Sequence, residues 1–180
     1  VFVLGSGWDE VDMQNHLIRH CGRNLPTKFS LQYFAKAGRM ATLVGATMAI
    51  RREVYSTFGP IQGMVEDNVM TLRGALLGGG SCLDSQLVRY RQNPNSLGHW
   101  LFARGDTSDQ AFRKRYQRTI SMYLAIADDL EHCLSVLSTI NTKDRQHAEQ
   151  IMKIYRLEAE ARAAILDKPR LQWLSPIWRG

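Results

Sequence analysis

The clearest pattern lies in the C-terminal part of the chain. From Phe112 onward, apolar residues recur at intervals of three and four: Phe112, Tyr116, Ile120, Tyr123, Ala127, Leu130, Leu134 and Leu137. That spacing puts them on one face of a long helix, sustained enough to form a heptad-like seam. Thr107 or Ser108 can cap its start, with acidic Asp109 in the first turn. Asn141-Thr142 interrupts the pattern, and Thr142 can cap a second helix. There Ala148, Ile151, Tyr155, Glu158, Arg162 and Ile165 keep the spacing, with Ile154, Leu157 and Ala161 alongside, until Pro169 ends it. Two such helices joined by a short turn predict an antiparallel hairpin.

The first part has a different texture, with short apolar runs punctuated by glycine. Val1 to Leu4 reads as a strand ending at Gly5, and the aromatic-rich Lys28 to Lys36 as partly helical. Leu43 to Ile50 predicts a buried strand, and Arg52 to Phe58 a short helix stopped by Gly59-Pro60. Val65, Val69, Leu72 and Leu76 recur at helical spacing and predict a firmer helix over Val65 to Leu77, closed by Gly78-Gly79-Gly80. Cys82 to Tyr90 then reads as a strand. The boundary falls in or just after the turn-rich Asn93-Pro94-Asn95-Ser96-Leu97-Gly98, giving expected units of 1–105 and 106–180.

Composition narrows the class. At 180 residues, with 44% hydrophobic and 22% charged, the chain resembles an ordinary globular protein able to bury a core. No run approaches the roughly 18 apolar residues of a membrane span, and no charged leader precedes an apolar stretch. Three widely spaced cysteines argue for a reducing, cytoplasmic compartment rather than a disulfide framework. The net charge of +6 comes from scattered basic residues, apart from Arg113, Lys114, Arg115 and Arg118. No zinc-finger or RNA-recognition motif accompanies them, so nucleic acid is not the expected partner. Anionic lipid headgroups or a nucleotide diphosphate suit the charge as well. His16 and His20, four apart, could share a helix face, but two such residues do not define a metal site.

The residues that carry chemistry occur in order. Gly45 opens Gly-Ala-Thr-Met-Ala-Ile-Arg51-Arg52; Phe58-Gly59 follows; Glu66-Asp67 starts a helix containing Arg73; the next strand ends in Tyr90-Arg91. This order resembles the acceptor-side half of a family-2 inverting glycosyltransferase of the GT-A fold. The resemblance covers roughly residues 1–100, is best through 45–96, and does not reach the hairpin. It implies an α/β, helix-rich chain: a partial GT-A (nucleotide-diphospho-sugar transferase) domain lacking its N-terminal nucleotide-binding half, followed by an α-helical hairpin.

In such an enzyme a base takes the proton from an acceptor hydroxyl as its oxygen attacks the anomeric carbon, and positive charge stabilises the departing nucleotide diphosphate. The resemblance implies that Asp67 is that base and that Glu66 contacts the acceptor or braces the loop. A helix N-terminus would keep the carboxylate ionised. Gly45 would let backbone approach the donor or acceptor, Arg51 or Arg52 would orient the acceptor, and Arg91 would face the diphosphate. Asn93 stands where many relatives have His, and no Gln-x-x-Arg-Trp motif of the processive synthases occurs, which points to single-sugar transfer. No Asp-x-Asp occurs either; Asp9-Glu10-Val11-Asp12 has the wrong spacing. The Mg or Mn ion that bridges the phosphates in metal-dependent relatives is therefore expected in the intact enzyme and not on this chain. Its donor-binding half is expected upstream of Val1.

The expected activity is cell-envelope polysaccharide biosynthesis, using a nucleotide-sugar donor and a glycan or lipid-linked acceptor, in the cytoplasm or peripherally at the inner membrane face. The alternative is a non-catalytic interaction or dimerisation module derived from a glycosyltransferase, with the hairpin seam forming a homodimer. The apolar tail, with Trp173 and Trp178, offers a further docking surface.

Overall fold

The computed structural model describes residues 1–38, 42–61, 65–93 and 108–167. The chain is an α/β, helix-rich protein built on a curled mixed sheet. Its strands are β1 (Val3–Val11), β2 (Leu17–Cys21), β3 (Lys28–Phe29), β4 (Ala49–Ile50) and β5 (Gly80–Arg91). The helices are α1 (Leu31–Ala37), α2 (Arg52–Phe58), α3 (Glu66–Leu77), α4 (Asp109–Val136) and α5 (Thr142–Asp167), with a 3₁₀ turn at Gly45–Thr47. The main sheet order is β2–β1–β5–β3. β1 and β5 run parallel from Val3↔Gly80 to Val11↔Arg91. On the other edge of β1, β4 pairs with its start and β2 with its end, both antiparallel.

Two expectations for the first part change. β1 does not stop at Gly5 but continues through Gly5-Ser6-Gly7, because β5 on one side and β2 further along the other pair with it. β2 itself gave no sequence signal. His16 and His20 consequently lie at a turn and on a strand rather than on a helix face, each against an aspartate: His16 with Asp12 at 3.0 Å and His20 with Asp9 at 2.7 Å.

The second change concerns Leu43 to Ile50, which is a strand only at Ala49–Ile50. Its backbone donors are taken by α3 instead. The Leu43 amide donates to Thr71 Oγ1 at 3.3 Å and the Gly45 amide to Asp67 Oδ2 at 3.0 Å. The chain then turns, with the Thr47 amide and hydroxyl both donating to the Val44 carbonyl. A strand needs a neighbouring strand for these groups, and here a helix side chain serves them.

α3 is buried from Asn68 to Leu76, far more completely than its predicted apolar stripe requires. Gly74 lets it sit directly on β1, since a Cβ there would come within 2.5 Å of Val3 Cγ1. Its C-terminus at Gly78 and the following strand agree with the predicted boundary.

The hairpin forms as the periodicity predicts. Ser108 caps α4 by accepting from the Ala111 amide at 3.2 Å; Thr107, the other candidate, lies outside the described residues. α5 is capped by Asn141 rather than Thr142, because Asn141 Oδ1 accepts from the Asp144 amide at 2.9 Å. The buried face of α4 is Tyr123, Ile126, Ala127, Leu130, Cys133 and Leu134, wider than a two-position seam. It is wider because α4 packs on α5 along one side and on α2 and α3 along the other. α5 meets α1 in turn, where Gln150 donates to the Ala35 carbonyl at 3.3 Å. One hydrophobic core therefore runs from Val3 and Phe34 to Ile151 and Tyr155. The expected boundary near 105, Pro169 and the tryptophan tail lie outside the described residues.

Candidate functional site

Asp67 is the second residue of α3, and Val65 at the cap position supplies no side-chain oxygen. The carboxylate reaches across to the segment before the 3₁₀ turn, where Oδ2 accepts from the Gly45 amide. The fit is close: a Cβ on residue 45 would lie 2.2 Å from Asp67 Oδ1. Only glycine lets the two approach in this way.

Neighbouring polar groups hold the same junction. Thr71 donates to the Asp67 carbonyl at 2.6 Å while accepting from Leu43, and Asn68 Nδ2 donates to Thr42 Oγ1 at 3.3 Å. Sequence reasoning gave no role to Asn68 or Thr71, because polar residues within an apolar helical pattern read as solvated positions, nor to Thr42, which lies in the segment before the 3₁₀ turn.

Burial pushes the Asp67 carboxyl above the usual carboxylate range; the Gly45 hydrogen bond opposes this, and the charge of Glu66 adds to it. Desolvation is the largest of these influences, and the carboxyl lies above the usual range rather than below it. Among the described residues Asp67 has no cationic partner. A half-buried carboxylate without a cation is unfavourable for stability and well suited to accepting a proton, since its basicity is raised.

Glu66 is exposed beside it. Arg51 and Arg52 are exposed where α2 begins; Arg51 stacks over the Phe2 ring with 5.4 Å to its centroid and faces Glu53 at 3.9 Å. Arg91 lies at the far end of the β1–β5 ladder, paired with Val11, and donates to Asn15 Oδ1 at 2.7 Å. Of the predicted set, the described contacts join Gly45 and Asp67, with Glu66 adjacent, while Arg91 is engaged elsewhere. Asn93 is exposed just beyond it.

A second polar cluster lies behind α3. Arg73 is 1% exposed, and its guanidinium binds Asp129 of α4 through two contacts, Nε–Oδ2 at 3.0 Å and Nη2–Oδ1 at 2.5 Å. Nη1 also donates to the Gly59 carbonyl at 2.7 Å, and the guanidinium lies over the Phe58 ring. Cys133 adjoins this pair, and burial pushes its thiol up to about 12. Asp129 had one legible signal: an acidic residue sharing a helix face with Ile126 and Cys133.

Among the described residues no three acidic, histidine or cysteine side chains converge as a metal site. No described helix is long and apolar enough to cross a membrane. No protein-family model, curated protein or solved structure matches this chain.

Proposed function

We propose that this chain is the acceptor-side part of an inverting glycosyltransferase with a GT-A fold, in which Asp67 is the base. The observation that carries the reading is the Asp67 carboxylate itself. It stands at a helix start, partly desolvated, free of any described cation, and oriented by the Gly45 amide through one oxygen. The hydrogen bond occupies Oδ2 and leaves Oδ1 to receive the proton of an acceptor hydroxyl as its oxygen attacks the anomeric carbon.

Support also comes from the order of Gly45, Arg51, Arg52, Glu66, Asp67, Arg73 and Arg91, and from the helix that places the acidic pair at its N-terminus. Glu66, exposed next to the base, suits contact with the acceptor. Arg51 and Arg52 lie on the strand-to-helix passage after Gly45 and suit acceptor orientation. Arg91 would have to exchange Asn15 for a diphosphate oxygen. The donor is a nucleotide-diphosphate sugar and the acceptor a glycan or lipid-linked hydroxyl, at the cytoplasmic face of a membrane. Of the hairpin seam that the dimerisation alternative would use, Tyr123, Ala127, Leu130 and Leu134 are buried in the chain's own core.

In the full-length gene product, Asp67→Asn should lower sugar transfer by at least about a thousandfold while leaving nucleotide-sugar binding nearly unchanged. Retained turnover would remove Asp67 from the role of base.

A further inference from the structure

Both partners of the Gly45–Asp67 contact belong to segments that α4 grips from behind. Asp67 is on α3, and six residues along that helix Arg73 is bound to Asp129 of α4. Six residues correspond to about 9 Å of helix, short enough for a rigid link. Gly45 lies on the segment that runs into α2, and the end of α2 is held by the same two elements. His132 Nε2 donates to the Phe58 carbonyl at 3.2 Å, and Arg73 Nη1 donates to that of Gly59.

Asp129 and His132 are three residues apart and lie on neighbouring positions of one helix face. The Arg73 side chain is almost wholly buried, and its Asp129 partner is only 9% exposed. A buried bidentate pair fixes direction as well as distance, so α3 cannot rotate or slide against α4 without breaking it.

From this we infer that Asp129 and His132 are positioning residues: the hairpin holds α2 and α3 in the one relative placement that brings the Gly45 amide to the Asp67 carboxylate. This assigns the hairpin a role in the site rather than one of coverage alone. Its catalytic meaning rests on the proposed transferase reading, whereas the geometric claim does not.

Amide hydrogen exchange of Gly45, followed by NMR on the 180-residue chain, reads the contact directly, because that amide donates to Asp67. Relative to the β1–β5 ladder amides, Gly45 exchange should quicken at least about tenfold in Asp129→Asn and about threefold in His132→Ala. Asp129→Glu should restore part of the protection. His132 is exposed, so its variant keeps the fold and decides the matter if Asp129→Asn does not fold. Gly45 exchange that stays unchanged, or rises only in step with the ladder, overturns the inference.

In the full-length enzyme the same variants should lower kcat with the donor KM unchanged. Selective loss of Gly45 protection together with full turnover in Asp67→Asn would leave the positioning intact and refute the base. Unchanged Gly45 exchange with an inactive Asp67→Asn would do the reverse.

Discussion

At the residue scale, Asp67 combines two opposing demands. Its carboxylate is withdrawn from water and lies beside the charge of Glu66, both of which raise its pKa, yet it keeps one amide donor that favours the charged form. The consequence for stability has a definite sign. An acid whose native pKa lies above its unfolded value, about 3.9 for aspartate, holds its proton more tightly when folded. Its contribution is most favourable below the unfolded value and is lost as pH rises through the window up to the native one. Asn at position 67 keeps an oxygen for the Gly45 amide but cannot titrate. The stability of wild type minus that of Asp67→Asn should therefore fall as pH rises above about 4, the unfolded aspartate value, as measured by urea unfolding at several pH values. A difference that rises with pH would mean that the native carboxylate is stabilised rather than desolvated.

Among the elements, α3 is the piece on which everything else is mounted. Its N-terminal turn carries the acidic pair and the donors and acceptors that capture residues 42–45, and its middle carries the arginine that reaches α4. Its helical character was legible from the spacing of Val65, Val69, Leu72 and Leu76, and its end from three glycines. Its near-complete burial was not, because Thr71 and Arg73 look like solvent-facing positions until their partners are known. Those partners are distant in the chain: Thr71 serves Leu43, and Arg73 binds a residue 56 positions later. Removing one member of a buried pair strands the other's charge, so Asp129→Ala should cost roughly 3–5 kcal/mol. Replacing both, as Arg73→Met with Asp129→Leu, should recover most of that loss in urea unfolding. If the double variant is as unstable as the single one, the pair is not the source of the cost. The same double variant should still lose Gly45 protection, since apolar packing gives no directional hold.

For the whole molecule, the outcome depends on one core crossing the two textures of the chain. Phe34, Ala35, Val69 and Leu72 share a cluster with Ile126, Leu130, Ile151 and Tyr155. A fragment of residues 1–105 would leave the hairpin-facing sides of α1, α2 and α3 exposed. It should bind the dye ANS and unfold without a sharp transition, whereas the 180-residue chain should unfold cooperatively. A cooperative fragment with no dye binding would show that the first part is an independent unit. The extended ends of β1, β2 and β5 contrast with this shared core: Leu17, Ile18 and Leu87 are each more than half exposed. Strand pairing and ion pairs such as Arg19 with Glu10 at 2.6 Å hold that end of the sheet. Arg91 lies on it, which is why sequence order alone could not bring it to Asp67.

What the amino-acid sequence determined by itself were the elements whose signals are local: α2, α3, α4 and α5, the glycine stops after α2 and α3, and a cap for α4 at Thr107 or Ser108. Helical hydrogen bonds and apolar stripes repeat within a few residues, so their pattern is present in any short window. Tertiary structure alone decided the length of β1, the existence of β2, the turn in place of a strand at 43–48, and the grip of α4 on α3. It also decided that burial raises the Asp67 carboxyl above the usual range. Each of these depends on which distant backbone amide, carbonyl or charge arrives to satisfy a group, and on how much water is excluded when it does.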